Sequence, residues 1–236
     1  MRSAVRLLLT TSVAVVMLCA APAQSNPVFL SAAYYNPAQL LPPPPADGSP
    51  EALAELGELQ RIEKTRTPAD FASAMIDEKT EDVTAFAAVM GPRFDLKSLP
   101  RTAELFEDVR NEEKFAAKLA KDFFKRNRPW IVDPKLHACA TDDPPQSSYP
   151  SGHATLGYSM AVVLAALAPE KAQSIMARAA AYAENRLVCS MHYRRDIVAG
   201  QVLGTTVAAE LLTTAGFRQE FDAAREELRA AHIVAQ

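Results

Sequence analysis

This sequence lacks any excess of positive charge, which argues against a nucleic-acid partner. Its 236 residues include 25 Lys and Arg against 28 Asp and Glu, so the formal net charge is -3, whereas domains that bind nucleic acids are usually basic. Beyond its first two dozen residues it also lacks an apolar run of the roughly 20 residues that a membrane-spanning helix needs. The best candidate, residues 156–168, is interrupted by Gly157, Tyr158 and Ser159. We therefore expect a buried helix there and no stable membrane insertion.

The first 23 residues have the pattern of a secretory signal peptide. Two arginines precede an apolar run over residues 7–21, and Ala21-Pro22-Ala23 has the small-x-small pattern of a cleavage site. We expect cleavage near Ala23 and export, to the periplasm in a bacterium with two membranes. A membrane anchor is the alternative, but the run is short for one. Lipoprotein processing at Cys19 is disfavoured because Leu18 is bulkier than such sites usually accept.

Cysteine and histidine are also scarce, with three Cys and four His in the whole chain. His137, Cys139 and two aspartates fall in a Pro- and Asp-rich stretch, but without the repeated spacing of a metal site, so we expect a solvated loop, no metal and no cofactor. Cys139 and Cys189 are the only cysteines after the signal peptide. An even pair in an exported chain suggests a disulfide, and two buried thiols are the alternative.

The remaining chain divides into an arm and one helical domain. Residues 24–48 contain Pro27, Pro37 and a run of four prolines, which we take to exclude helix and to favour an extended arm. Its two tyrosines indicate packing on its own domain or on a neighbouring subunit, with a flexible spacer as the alternative. Residues 49–236 suit a single domain with a full core.

Helix signals follow one another through this domain. Ser49-Pro50 and Thr67-Pro68 are start signals. A long helix is expected from Arg101 to Asn127, with apolar residues as far as Phe123 facing the core, and a buried central helix from His153 to about Ala168. Further helices are predicted over 169–188, from about His192, and over 217–231. Gly200 and Gly204, four residues apart, would allow close contact between helices.

Three short stretches carry the chemistry. Lys121 and Arg128 are seven residues apart, so on one helix both cations would project from the same face and suit an anion. Pro150-Ser151-Gly152-His153 precedes an apolar helix, where glycine and free N–H groups can approach an oxyanion. His153 would stand beside that anion.

The third stretch contains Arg186, His192 and Asp196. Arg186 adds a planar donor fork that matches phosphate oxygens. His192 and Asp196 are four residues apart, so on a helix the carboxylate could accept a hydrogen bond from one ring nitrogen and leave the other free to attack. Arg186 and His192 are six apart and would face different sides of a continuous helix, so we expect a break near Cys189 and Ser190.

The pattern Lys121-x6-Arg128-Pro129, Pro150-Ser151-Gly152-His153 and Arg186-x5-His192-x3-Asp196 resembles the phosphatidic acid phosphatase type 2 (PAP2) superfamily, and within it the bacterial class A non-specific acid phosphatases. Tyr34-Tyr35-x-Pro37, Ser148-Tyr149 and Arg186-Leu187-Val188-Cys189 are similar too, so the likeness covers nearly the whole chain after the signal peptide. It implies an all-α bundle around a central helix. Asn185 replaces the usual serine, and we expect a weaker or re-angled phosphate contact there.

The resemblance implies an enzyme that hydrolyses phosphate monoesters without a metal. His192 would attack phosphorus, Asp196 would orient it and His153 would protonate the leaving alcohol, with an optimum at about pH 5 to 7. Substrates would be nucleotides, sugar phosphates or aryl phosphates, and relatives suggest a homo-oligomer. The residues expected to bind the phosphate are Lys121, Arg128, Ser151, Gly152 and Arg186.

Three alternatives remain for the function. A lipid-phosphate phosphatase would use the same site, but such relatives usually have several membrane spans. A vanadate-dependent haloperoxidase would bind vanadate there, but those enzymes are typically much larger. A secreted protein that only captures phosphate would not need an activated imidazole.

Overall fold

The computed structural model describes residues 27–235, and all regular secondary structure in this range is helical. This confirms the predicted all-α class. The signal peptide and Cys19 lie outside the described residues. The helices are α1 (Pro37–Leu40), α2 (Pro50–Thr65), α3 (Pro68–Glu78), α4 (Ala87–Met90), α5 (Pro100–Phe124), α6 (Pro129–Val132), α7 (Gly152–Leu167), α8 (Ala172–Val188), α9 (Arg194–Leu211) and α10 (Ala215–Ala230), with 3₁₀ turns at Ala32–Tyr35, Val83–Phe86 and Pro169–Lys171.

The two predicted start signals are N-caps. The Ser49 hydroxyl accepts a hydrogen bond from the Ala52 N–H at the start of α2. Thr67 and Asp70 form a reciprocal capping box at the start of α3. Each cap satisfies an N–H that the first turn of a helix leaves without a partner, so α2 and α3 begin where the sequence indicates.

Helix α7 is the central helix, as predicted, and packs against α5, α8 and α9. Gly200 on α9 permits a close approach to α7, because a Cβ atom there would lie 2.6 Å from the Ser151 carbonyl oxygen. Gly204 meets the backbone of α7 one turn further on. The two glycines therefore let α9 and α7 touch backbone to backbone, which places the beginnings of both helices side by side.

The N-terminal arm packs on its own domain. Tyr35 and Leu41 are buried in the main core. One carboxylate oxygen of Glu112, on α5, accepts hydrogen bonds from the N–H groups of Val28 (2.6 Å) and Phe29 (2.5 Å). The other accepts the Tyr35 hydroxyl. Glu112 therefore holds the arm by its backbone.

The arm is not wholly extended, because residues Pro37–Leu40 form the short helix α1. The prediction that prolines exclude helix was wrong here. Proline lacks an N–H and has a fixed φ, and both are compatible with the first helical position, which Pro37 occupies. The Asn36 side chain caps this turn by accepting from the Ala38 N–H.

Helix α5 ends three residues before the predicted boundary. Its last helical residue is Phe124, and Lys125 adopts a left-handed conformation with φ of 50°. Phe123, predicted to face the core, is 57% exposed. The chain therefore leaves the helix before it reaches Arg128, which changes how that residue enters the site.

Within residues 27–235, no single helix is long and apolar enough to cross a membrane. Helices α9 and α10 meet those limits of length and composition only when they are taken together, and they are bent by 90° at their junction.

Candidate active site

A cavity of about 1000 Å³ lies between the end of α3, one face of α5, the loop before α7 and the start of α7. Four chain segments far apart in sequence supply its charged lining. Of the predicted site residues, those that line it are Lys121, Arg128, Gly152, His153, Arg186 and His192.

Arg128 lies in the wall of this cavity with 1% of its surface exposed. The guanidinium donates to the Met191 carbonyl (2.9 Å), to Nε2 of His192 (2.9 Å) and to Asp143 (2.8 Å). Helical periodicity does not place it there, so the expectation of one helix face shared with Lys121 was wrong. Instead, its backbone N–H donates to the Pro145 carbonyl, which fixes the segment after the left-handed Lys125.

Lys121 and Arg186 complete a group of three cations. The Lys121 ammonium lies against the start of α7, where a Cβ added to Gly152 would be 3.4 Å from Nζ. Burial, with a further contribution from Arg128, lowers the pKa of Lys121 to about 8. Burial lowers the pKa of Arg128 to about 10. Arg186 is almost fully buried and pairs with Glu78. Such clustered cations favour an anionic ligand.

His192 is held as a neutral ring with Nε2 unprotonated. Its Nδ1–H donates to the Ser148 carbonyl oxygen at 2.7 Å. Because that bond assigns the proton to Nδ1, the lone pair on Nε2 accepts from Arg128. Burial, followed by the charges of Arg128 and Arg186, lowers the pKa of His192 well below its usual value. The ring is therefore an unprotonated nitrogen base among cations.

Asp196 does not contact the ring as expected. Its Oδ2 lies 3.6 Å from Nδ1 of His192, beyond hydrogen-bonding distance. His192 precedes α9 rather than lying on it, so the geometry of residues four apart on a helix does not apply. Asp196 instead accepts the Ser148 hydroxyl at 2.5 Å and the Tyr193 N–H at 2.9 Å. It thus holds Ser148, whose carbonyl holds the histidine.

Arg126 and Glu55 support Asp196, and the sequence analysis missed both. Arg126 is buried and donates to Asp196 and to Glu55, each at 2.6 Å. Glu55 also accepts from the Arg195 N–H at 2.6 Å, which fixes the first turn of α9. Burial raises the pKa of Asp196 to about 6, and the charge of Arg126 opposes this. In sequence, Arg126 is simply one more cation near Arg128.

His153 is the second histidine in the lining of the cavity. Its Nε2 is 3.1 Å from the Glu78 carbonyl oxygen, and its ring stacks on Tyr182 with centroids 5.6 Å apart. The Glu81 carboxylate lies 3.8 Å away. Burial, then the charge of Arg186, lowers the pKa of His153 well below its usual value. The same cations therefore disfavour a charge on both histidines.

Ser151 and Asn185, both predicted to lie near the phosphate, make hydrogen bonds within the protein. The Ser151 hydroxyl is fully buried and caps α7, accepting from the Ala154 N–H at 3.3 Å. The Asn185 amide donates to Asp77 at 2.7 Å. Neither side chain lines the cavity. Ser151 therefore caps the start of α7, and Asn185 lies outside the described cavity lining.

The Cys139–Cys189 disulfide is present, as predicted. The Cys139 N–H also donates to the Cys189 carbonyl at 3.0 Å. Cys189 ends α8, and Ser190 follows with a left-handed φ of 52°, which confirms the predicted break between Arg186 and His192. The bridge thus joins the loop before α7 to the turn that carries His192.

Fold and site together define a helical protein with a cavity in which Lys121, Arg128 and Arg186 suit a tetrahedral oxyanion. The PAP2 superfamily matches residues 113–220, which include all three motifs. An acid phosphatase of Zymomonas mobilis is 31% identical over 207 residues, covering 85% of this chain and 78% of the relative. Non-specific acid phosphatases of Salmonella typhimurium and Providencia stuartii are 27% and 28% identical, covering 80% of this chain and 78% and 79% of theirs. The chain belongs to the PAP2 superfamily.

Proposed function

We propose that this protein is an exported acid phosphatase that hydrolyses a broad range of phosphate monoesters through a phosphohistidine intermediate, without a metal ion. One observation carries the proposal. Nε2 of His192 is an unprotonated nitrogen inside a cavity lined by Lys121, Arg128 and Arg186. A site for phosphate capture alone would not need a nucleophile at this point. The names of the similar proteins support the same reaction.

In the first step, Nε2 of His192 attacks phosphorus, and the bond from phosphorus to the ester oxygen breaks. The electron pair stays on that oxygen, which takes a proton from His153. The ring of His192 becomes positively charged, and its Nδ1–H remains bonded to the Ser148 carbonyl. The nearby Asp196 carboxylate, 3.6 Å from Nδ1, favours this charge.

In the second step, water attacks phosphorus and gives a proton to His153. The bond from phosphorus to nitrogen breaks, its electron pair returns to Nε2 of His192, and phosphate leaves. Lys121, Arg128 and Arg186 stabilise the equatorial oxygens in both steps. Because these fixed cations supply the charge that metal ions supply in other phosphatases, we propose that the reaction is metal-independent.

An acidic optimum follows from the two histidines. His192 has to be neutral to attack, and its lowered pKa keeps it neutral in mild acid. His153 has to be protonated to donate, but its pKa is also lowered in the free site. Bound phosphate adds negative charge, which raises the pKa of His153 again. Activity should therefore be highest on the acidic side of neutrality, at about pH 5 to 7, and should decline as His153 loses its proton.

The test is phosphate release from p-nitrophenyl phosphate between pH 4 and 9 by the protein and by its His192→Ala variant. We expect acid-favoured turnover that EDTA does not affect, inhibition by vanadate, and no turnover by the variant. Because the phosphorus–nitrogen bond of phosphohistidine is cleaved in acid, quenching with alkali is used, and with ³²P-labelled substrate it should trap a labelled protein that His192→Ala cannot form. Full activity at pH 9, or labelling of the variant, contradicts the mechanism.

Two parts of the proposal need separate measurements. Mass determination of the protein secreted by its host would show whether residues 1–23 are removed, leaving the arm of residues 24–48 and the domain of residues 49–236. Sedimentation would test the predicted homo-oligomer. If simple esters are not hydrolysed, the next assays are hydrolysis of lipid phosphates and oxidation of bromide in the presence of vanadate.

A further inference from the structure

The cavity is larger than a phosphate group requires. Its volume of about 1000 Å³ extends beyond the cations and histidines, along α5 and α7. If the proposed reaction is correct, this remaining space receives the alcohol part of the ester. The side chains that line it then decide which alcohols the enzyme accepts.

The position of the proton donor shows where the alcohol lies. A general acid has to be within hydrogen-bonding reach of the leaving oxygen, so the alcohol leaves on the side of His153. Leu156 follows His153 by three residues on α7, and Ala117 lies on α5; both line the same cavity. The alcohol therefore extends from His153 into the space between these two helices.

Glu113 is a buried acidic residue of the cavity lining that the mechanism does not use. It lies four residues before Ala117 and eight before Lys121, so all three share one face of α5. Glu113 lines the cavity, but only 4% of its surface is exposed. Burial and the charge of Glu81 raise the pKa of its carboxyl well above the usual value, and no hydrogen bond from a described residue acts on it.

Such a carboxyl is suited to a hydroxyl ligand. In its neutral form it has one O–H to donate and a carbonyl oxygen to accept with. Leaving a buried polar group without a partner is unfavourable, so a ligand that supplies both partners gains affinity. A purely apolar alcohol would fill the space next to Leu156 but leave Glu113 unsatisfied.

We propose that Glu113 is a specificity-determining residue that hydrogen-bonds a hydroxyl group of the leaving alcohol, so that the enzyme prefers esters of polyhydroxylated alcohols such as sugar phosphates. This inference rests on the proposed phosphatase reaction. It concerns only the alcohol subsite, since Lys121, Arg128 and Arg186 hold the phosphate.

The test compares glucose 6-phosphate with cyclohexylmethyl phosphate, which has a ring of similar size on a primary alcohol but no hydroxyl groups. We expect Glu113→Leu to lower the ratio of the two kcat/KM values about tenfold, mainly through KM for the sugar, because one buried hydrogen bond is lost. Glu113→Gln keeps a donor and an acceptor and should retain most of the preference. Glu107→Leu, an exposed change on the same helix, should leave the ratio unchanged.

The outcomes separate the two proposals. If the unaltered protein hydrolyses both esters and Glu113→Leu leaves their ratio unchanged, Glu113 has no role in specificity, and the phosphatase proposal is unaffected. If Glu113→Gln loses the preference as fully as Glu113→Leu, hydrogen bonding to a hydroxyl is refuted. If the unaltered protein hydrolyses neither ester nor p-nitrophenyl phosphate, the proposed function fails, and the specificity proposal fails with it.

Discussion

The contact between α7 and α9 can be tested with one methyl group. In Gly200→Ala the new Cβ would lie 2.6 Å from the Ser151 carbonyl oxygen and 2.8 Å from Cβ of Ala154. Carbon and oxygen atoms in contact are normally separated by about 3.3 to 3.6 Å, so the helices have to part by about 0.7 to 1 Å. The Ser151 carbonyl is backbone at the N-cap of α7, and the Ala154 Cβ is fixed to the first turn of that helix. Neither belongs to a flexible side chain that can move aside.

Two quantities should change in Gly200→Ala. Overpacking costs about 1 to 3 kcal/mol of stability, which the better helix propensity of alanine offsets by about 1 kcal/mol. Activity should also fall, because parting the two helices displaces both histidines: His153 lies on α7, and His192 directly precedes α9. A displacement of about 1 Å can lower a rate about 100-fold, so we expect kcat/KM to fall about 10- to 100-fold.

Urea unfolding and p-nitrophenyl phosphate kinetics measure both effects, with Gly57→Ala as the matched control. A Cβ at Gly57 meets only the Arg61 side chain, at 3.7 Å. That variant should therefore be about 1 kcal/mol more stable, with unchanged kinetics. If Gly200→Ala behaves like Gly57→Ala, the backbone contact does not position the site, and the argument is refuted.

Three further predictions concern Arg126, the disulfide and Glu220. Arg126→Met removes the cation from two buried carboxylates and should lower the free energy of unfolding in urea by about 3 to 5 kcal/mol. Because the charge of Arg126 lowers the pKa of Asp196, the variant should also lose activity at a higher pH than the parent as the solution is acidified. Replacing Cys139 and Cys189 by alanine should cost about 2 to 5 kcal/mol in the same assay. Burial, then Asp108, raises the pKa of Glu220 to about 7. The Glu220 carboxyl contributes its full stabilisation below about pH 4.5, and this contribution is lost as the pH rises through 7. In Glu220→Gln, the free energy of unfolding should therefore depend less on pH between about pH 5 and 7.5.

Each of these predictions has a contradicting result. An Arg126→Met variant with normal stability and an unchanged pH profile would show that Arg126 does not maintain the charge of Asp196. A double cysteine variant as stable as the parent under oxidising conditions would remove the structural role of the bridge. For Glu220→Gln, a pH dependence of unfolding identical to that of the parent would mean that the pKa of Glu220 is not raised in the folded protein.

Sequence reasoning succeeded where neighbours along the chain decide the structure. The caps at Ser49 and Thr67, the break after Cys189 and the close glycine contact on α9 all follow from local residue properties. It failed at Arg128 because a left-handed residue at Lys125 ends α5 early. No propensity rule favours that conformation for lysine, so the sequence predicted a longer helix.

The support around His192 required the tertiary structure. The expected partner, Asp196, contacts Ser148 instead, 48 residues away in sequence. Arg126 joins Asp196 to Glu55 across separations of 70 and 71 residues. Contacts at such distances depend on how whole helices pack, which local periodicity does not specify.

The sequence by itself thus determined the helical class, the order of the helices, the three motifs and the cysteine pair. Each depends on residue type and short-range spacing, which can be read directly from the chain. Only the tertiary structure decided that Ser148 orients His192, that Ser151 and Asn185 lie outside the lining of the cavity, and that Glu113 is part of that lining. Those outcomes depend on where helix ends meet and on which polar groups lose water when the helices pack.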